Sequence, residues 1–275
     1  MGDVETMPEG RYIVPALTQG LTLLGLFSRE RPALTPPDIA RELGLSRATV
    51  FRLLHTLETM GYVQREDGDR QYRLGPAVLG RGFAYLASLD LVEVAQPALR
   101  RLRDEAGMSS HLAIRDGRDV LYLARFPARS TMASSVQVGT RFPVHGTILG
   151  RMLICELSDA ELKELFPEAT LPRFSEQTPK TLAALKKLLK EDRARGYAVS
   201  QSFFERGVSA IAAPVRDNNG TIVAAINVTT VDGSVTQADM SGRFKDLLLD
   251  TAREISSHIV SEQNLARTLV TSAGR

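Results

Sequence analysis

Arg47, Thr49, Arg52 and His55 lie within nine residues of one another in the stretch ELGLSRATVFRLLHTL, residues 42–57. Each can donate a hydrogen bond, and an arginine can pair with a guanine edge through two nitrogens at once. The same stretch carries Val50, Leu53, Leu54 and Leu57, which fall on one stripe of a helix at 100° per residue and form its core face. Ala48, Arg52, His55 and Thr59 lie opposite, with Arg47, Thr49 and Phe51 on the flanks and Ser46 at the start. Two readings suit such a helix. Its polar face is either solvated or enters a DNA groove, where Ala48 or Phe51 would meet a thymine methyl and Thr49 a phosphate or base.

The surrounding elements favour the groove. The spacing predicts a helix over 15–30, with Leu17, Leu21 and Leu24 in register and Pro15 in its first turn. A second helix over 35–44 starts at a Thr-Pro-Pro cap and stops at Gly44. Ser46 caps the third, which runs to about Met60. Only Gly44 and Leu45 separate the second and third helices, the short turn of a helix-turn-helix. YVQREDGDRQYRLG (62–75) then reads as two short strands around Asp67-Gly68. Three helices and a hairpin make a winged helix-turn-helix over 12–75, with Arg65, Arg70 and Arg73 on the wing to reach the phosphate backbone or the minor groove. The partner is double-stranded DNA with a near-palindromic operator, because paired winged helices read two half-sites about 34 Å apart. Paired winged helices need a partner copy, and the linker helix predicted over 76–90 (Leu79, Phe83 and Leu86 in register) is a candidate dimer contact.

From residue 91 to 262 the pattern becomes that of a second domain. An amphipathic helix (91–107) precedes strands SSHLAIRD and DVLYLARF, joined at Gly117-Arg118. A further strand is predicted over 131–139, and a helix in HGTILGRMLICEL beginning near Gly146. Helices over 159–166 and 179–195 follow, then strands in YAVSQSFF, VSAIAAPVRD and GTIVAAINVTT, a long helix over 237–262, and a tail over 263–275. Hairpins mixed with separate helices imply an antiparallel α+β domain. Two features suggest a small-molecule pocket within it. VGTRFPVHGTILGR places backbone donors at a glycine-flanked helix start, an arrangement suited to a carboxylate. The apolar strands also carry Ser209, Asn227 and Thr229; the last two share a strand face, and a ligand could supply the partners they need.

Composition excludes several classes. The net charge is +2, and residues 1–75 hold nine Arg against ten Asp and Glu, so charge alone does not point to nucleic acid. All nine cations there being Arg is explained equally by composition, since 28 of the chain's 34 basic residues are Arg. No apolar run reaches the roughly 18 residues of a membrane span, and the N-terminus lacks the apolar core of a signal peptide; a cytoplasmic protein is expected. The single Cys155 rules out a disulfide framework and a cysteine-built metal site. His55, His111, His145 and His258 are scattered, without a nucleophile or second ligand at a telling spacing. His145 is the best placed for pocket chemistry; the other reading is a hydrogen-bonded core residue. With no phosphate loop, metal cluster or nucleophile elbow, the expectation is a binding protein, not an enzyme, without cofactor, metal or catalytic residues.

From about Tyr12 to Glu262 the chain resembles IclR-family transcriptional regulators, in PALTQGLTLLGLF, LGLSRATVFRLLHTLETMGYV, YRLGPAVLGRGFAYL, VGTRFPVHGTILGRMLI and GVSAIAAPVRDNNGTIVAAINVTT. The resemblance implies a winged helix, a linker helix and a GAF-like effector domain, assembled as dimers or tetramers. The VPAL opening and Gly150-Arg151 are similar to the branch regulating aromatic-acid and β-ketoadipate catabolism, which implies an aromatic acid or ring-cleavage carboxylate as effector. VHGTILGR departs from the Ala-Thr-Ser-Met-Gly-Arg usual there, and Ser200 and Ala210 stand where some relatives that bind small acids carry Asp and Cys. Carried over, the effector pocket is lined by Met132, Ser134, Phe142, Gly146, Thr147, Ile148, Leu149, Ser200, Ala210, Asn227 and Thr229. A non-aromatic metabolite, or an architectural DNA-binder without effector, are the alternatives.

Overall fold

The computed structural model describes residues 13–66, 70–128, 136–168, 170–204, 207–231 and 235–260. The chain divides into two compact units, Met1–Ser88 and Leu89–Arg275.

In the first unit, α1 spans Pro15–Leu24, α2 Pro36–Leu43 and α3 Arg47–Thr59. Helix α1 stops well short of the expected residue 30. At Gly25 the chain turns, Phe27 drops into the core, and Ala33–Leu34 form a strand, β1. That strand pairs with β3 (Tyr72–Leu74), which also pairs with β2 (Val63–Arg65), giving a sheet ordered β1-β3-β2. Two residues show no periodicity, so β1 leaves no signature in the sequence. Thr35 caps α2 and Ser46 caps α3 through their hydroxyls, and Gly44 closes α2 at φ 63°, where a side chain would be strained. Leu23, Phe27, Leu34, Ile39, Val50, Leu54, Val63 and Tyr72 make one core. The hairpin tip, Asp67-Gly68, lies outside the described residues. Helix α4, Ala77–Ala87, ends the unit without a buried residue, and Leu79 and Phe83 are about 60% exposed on it.

The second unit is built on a six-stranded antiparallel sheet ordered β6-β5-β4-β9-β8-β7: β4 Ser109–Asp116, β5 Asp119–Phe126, β6 Arg141–Pro143, β7 Ala198–Gln201, β8 Ser209–Arg216 and β9 Ile222–Thr230. The expected strand over 131–139 lies mostly outside the described residues, and Val138–Gly139, which are described, form a turn. β8, β9 and the first five residues of β4 are almost wholly buried, as strands covered on both faces must be. Helix α5 (Asp90–Ala106) and the C-terminal α10 (Lys245–Ser257) pack on one face. Helix α6 (Ile148–Ile154), backed by α8 (Leu182–Arg195), packs on the other, and α7 (Asp159–Leu165) lies between them in the chain. Two expected helices are shorter or broken. Val144–Gly146 form a separate 3-10 turn, and extended Thr147 interrupts it before α6. At the C-terminal end α9 (Gln237–Asp239) reaches α10 through a π-helical turn, Met240–Phe244, in which Met240 and Phe244 are buried.

Candidate nucleic-acid interface and ligand cavity

Helix α3 buries Val50 and Leu54 and presents its opposite side to solvent. Ser46, Arg47, Ala48, Phe51, Arg52 and His55 are exposed and Thr49 half-buried. The Ser46 hydroxyl takes the Thr49 N–H at 3.1 Å, so the start of the helix is held in place by the chain itself. Phe51 and His55, one turn apart, stack with ring planes 5° from parallel. Phe51 is 62% exposed on that face. On the wing, Arg65 donates to the Tyr72 hydroxyl and lies 4.0 Å from Glu58, while Arg73 is paired with Glu66 at 2.6 Å. Those neighbours orient the two guanidinium groups across the sheet. Arg70 is exposed beside the undescribed tip.

In the second unit the side chains of two cross-strand rows converge on the α6 face of the sheet. One row runs Ser200, Ala210, Thr229, Ser109; the other Ala198, Ala212, Asn227, His111. Alanine at 210 leaves space under α6 that a larger side chain would fill. The resulting cavity, about 90 Å³, is lined by His111, Tyr122, Val136, Phe142, Thr147, Ile148, Ser200, Phe203, Phe204, Val208, Ala210, Asn227 and Thr229. Of the residues expected there, Phe142, Thr147, Ile148, Ser200, Ala210, Asn227 and Thr229 are on its wall. Met132 and Ser134 lie outside the described residues. Gly146 and Leu149 are not lining residues. Leu149 points into the core shared by α6 and α8, and a side chain at Gly146 would press on Phe174 and touch Phe204, which itself lines the cavity.

The helix start is less available to a carboxylate than its sequence suggests. The Thr147 hydroxyl already accepts the Gly150 N–H at 3.0 Å, and α6 has only seven residues to build a dipole. Gly150 is required for a different reason: a Cβ there would lie 1.9 Å from the Val144 carbonyl oxygen.

The polar centre of the cavity is instead His111, which sequence reasoning passed over. It is 1% exposed, and its Nδ1 lies 2.9 Å from Asn227 Oδ1. Burial pushes its pKa down to about 4; the Asn227 bond opposes that shift and the Arg125 charge adds to it. Nε2 is buried with no hydrogen-bond partner among the described residues. Tyr122 meets the imidazole edge-on at 5.6 Å, and Phe142 meets Tyr122 at 5.9 Å. The only signal in the sequence was Asn227 itself, since its partner lies 116 residues away. His145, the expected candidate for pocket chemistry, instead bonds the Pro172 carbonyl at 2.9 Å, the structural role given above as its alternative.

Neither region, among the described residues, arranges a nucleophile, a base and an oxyanion site together. Among the described residues no cluster of three or more His, Cys, Asp or Glu could hold a metal ion, and no helix is long and apolar enough to cross a membrane.

Comparison with known proteins matches both units. The IclR helix-turn-helix domain matches residues 16–67, and the C-terminal domain of bacterial transcriptional regulators of the IclR type matches residues 83–257. The Pca regulon regulatory protein of Pseudomonas putida is 35% identical over 87% of this chain and 82% of its own. The HTH-type transcriptional regulator XynR of Escherichia coli is 30% identical over 89% and 96%. The crystal structure of an IclR transcriptional regulator from Alicyclobacillus acidocaldarius superposes with a TM-score of 0.79 at 26% identity, covering 90% of this chain and 99% of that one.

Proposed function

The chain belongs to the IclR family and is a DNA-binding transcriptional regulator, not an enzyme, and from that premise we propose that a small organic acid held in the second unit's cavity controls how it binds its operator. Ser46, Arg47, Ala48, Thr49, Phe51, Arg52 and His55 read bases from α3, while Arg65, Arg70 and Arg73 hold the phosphate backbone. The protein acts in the cytoplasm as a dimer or tetramer, with α4 as linker and its exposed Leu79 and Phe83 as a contact between copies.

The observation that carries the effector reading is a cavity whose wall combines aromatic rings with the buried polar groups of His111, Ser200, Asn227 and Thr229. Buried polar groups facing a void call for a partner, and an acid with oxygen atoms supplies it. Similarity to the Pca regulon regulatory protein supports an aromatic or ring-cleavage carboxylate. The cavity's size favours a second reading, a short non-aromatic acid: about 90 Å³ is below the roughly 150 Å³ that accepts a benzene ring.

Calorimetric titration of the full chain with benzoates, aliphatic dicarboxylates and two- to four-carbon acids separates the two. Binding by one class, abolished by Ala210→Phe, is the expected result. Binding that survives Ala210→Phe would place the effector elsewhere.

A further inference from the structure

His111 Nε2 defines what the cavity requires of its ligand. Asn227 Oδ1 can only accept a hydrogen bond, so the proton of a neutral imidazole sits on Nδ1 and donates to it at 2.9 Å. Nε2 is then a lone-pair acceptor, buried, on a residue that lines the cavity, and without a partner among the described residues. We propose that His111 Nε2 accepts a hydrogen bond donated by the effector, so that the site selects an acid carrying a hydroxyl group over the same acid without one. The inference rests on the effector reading above and specifies its chemistry.

The competing arrangement has the ligand's carboxylate on Nε2, which requires imidazolium. With its pKa near 4, the ring is charged in roughly one molecule in a thousand at pH 7, and Arg125, opposite His111 on β5, already disfavours that charge. A hydroxyl needs no such proton. The carboxylate is left to the hydroxyls of Thr147, Ser200 and Thr229 on the same wall. A ligand that fills the space without a hydroxyl would leave Nε2 buried and unsatisfied, which lowers affinity roughly 5- to 150-fold.

The test uses the full chain and matched pairs of acids: glycolate against acetate, and 4-hydroxybenzoate against benzoate. Wild type is expected to bind the hydroxy acid of at least one pair 5-fold or more tightly over its partner. His111→Leu should bring that ratio close to one, and His111→Gln, which can present a carbonyl oxygen, should restore part of it; thermal melts confirm that both variants fold. Nitrogen-15 spectra of histidine-labelled protein should show an unprotonated Nε2 that shifts when the hydroxy acid binds. Equal affinity within both pairs, or a preference unchanged in His111→Leu, overturns this proposal and leaves the cavity as effector site. Binding of no acid overturns it together with the effector reading.

Discussion

Asp192 on α8 has no exposed side-chain surface and accepts from Arg151 Nε and Nη2, each at 2.6 Å, and from Arg195 at 2.6 Å. The Arg151 side chain is 3% exposed and lies 4.8 Å over the ring of Phe203, a wall of the cavity. Replacing Asp192 by Asn keeps the shape but leaves a buried guanidinium without a counter-charge and a second guanidinium beside it. Breaking a buried pair in this way costs about 3–5 kcal/mol. At about 2–4 °C per kcal/mol for a unit of this size, the transition of the Leu89–Arg275 unit should fall by roughly 6–20 °C. Removing the whole pair, as Arg151→Met with Asp192→Leu, trades desolvation of two charges for apolar contact. That double variant should lie within about 1–2 kcal/mol of wild type or above it, with Arg195, already part exposed, turning to solvent. Scanning calorimetry and urea melts of the full chain measure both. An Asp192→Asn loss below 1 kcal/mol, or a double variant as weak as the single one, would show that the pair is not the buried, mutually dependent unit described.

Three further outcomes follow from the geometry. Arg52→Ala should weaken operator binding by about 1–3 kcal/mol, the worth of a bidentate base contact, with acid binding unchanged; unchanged DNA affinity in anisotropy titrations would remove Arg52 from the groove. Gly150→Ala drives a methyl against the Val144 carbonyl and should cost about 1–3 kcal/mol or more by chemical denaturation, while a neutral result would mean the 3-10 turn yields freely. Burial holds His111 near 4 against an unperturbed 6.5, so its contribution is intact above pH 6.5 and is lost as the pH falls toward 4, by up to about 3 kcal/mol; the wild-type minus His111→Leu stability difference, followed by urea melts from pH 7.5 to 4.5, should show that slope, and a flat difference would contradict a neutral buried imidazole.

Local pattern made much of this molecule legible. β4 and β5 occupy the segments read from their alternation and the Gly117 turn, and Ser46 and Gly44 cap α3 and α2 as their types demand. Features dependent on distant partners were not legible. β1 and β6 are too short to show a period, and exist because β3 and β5 offer them edges. Asp192 lies in a run, KEDRAR, that reads as solvated helix; only α6 packing on α8 brings Arg151 to it. The cavity was half visible. Asn227 and Thr229 stood out as polar residues in an apolar strand, whereas His111 looked like one of four scattered histidines until antiparallel pairing of β4 with β9 set it opposite Asn227.

An effector-controlled regulator requires that acid binding in the cavity and DNA binding by the helix-turn-helix domain be linked. The most direct measurement is fluorescence anisotropy of the full chain on DNA upstream of its own gene, at one fixed salt concentration, with and without an acid shown to bind the cavity. Linkage predicts that the acid shifts operator affinity about 5- to 150-fold and that Asn227→Ala with Thr229→Ala abolishes the shift while leaving acid-free DNA binding in place. A saturating acid that leaves the wild-type binding curve unmoved would contradict it.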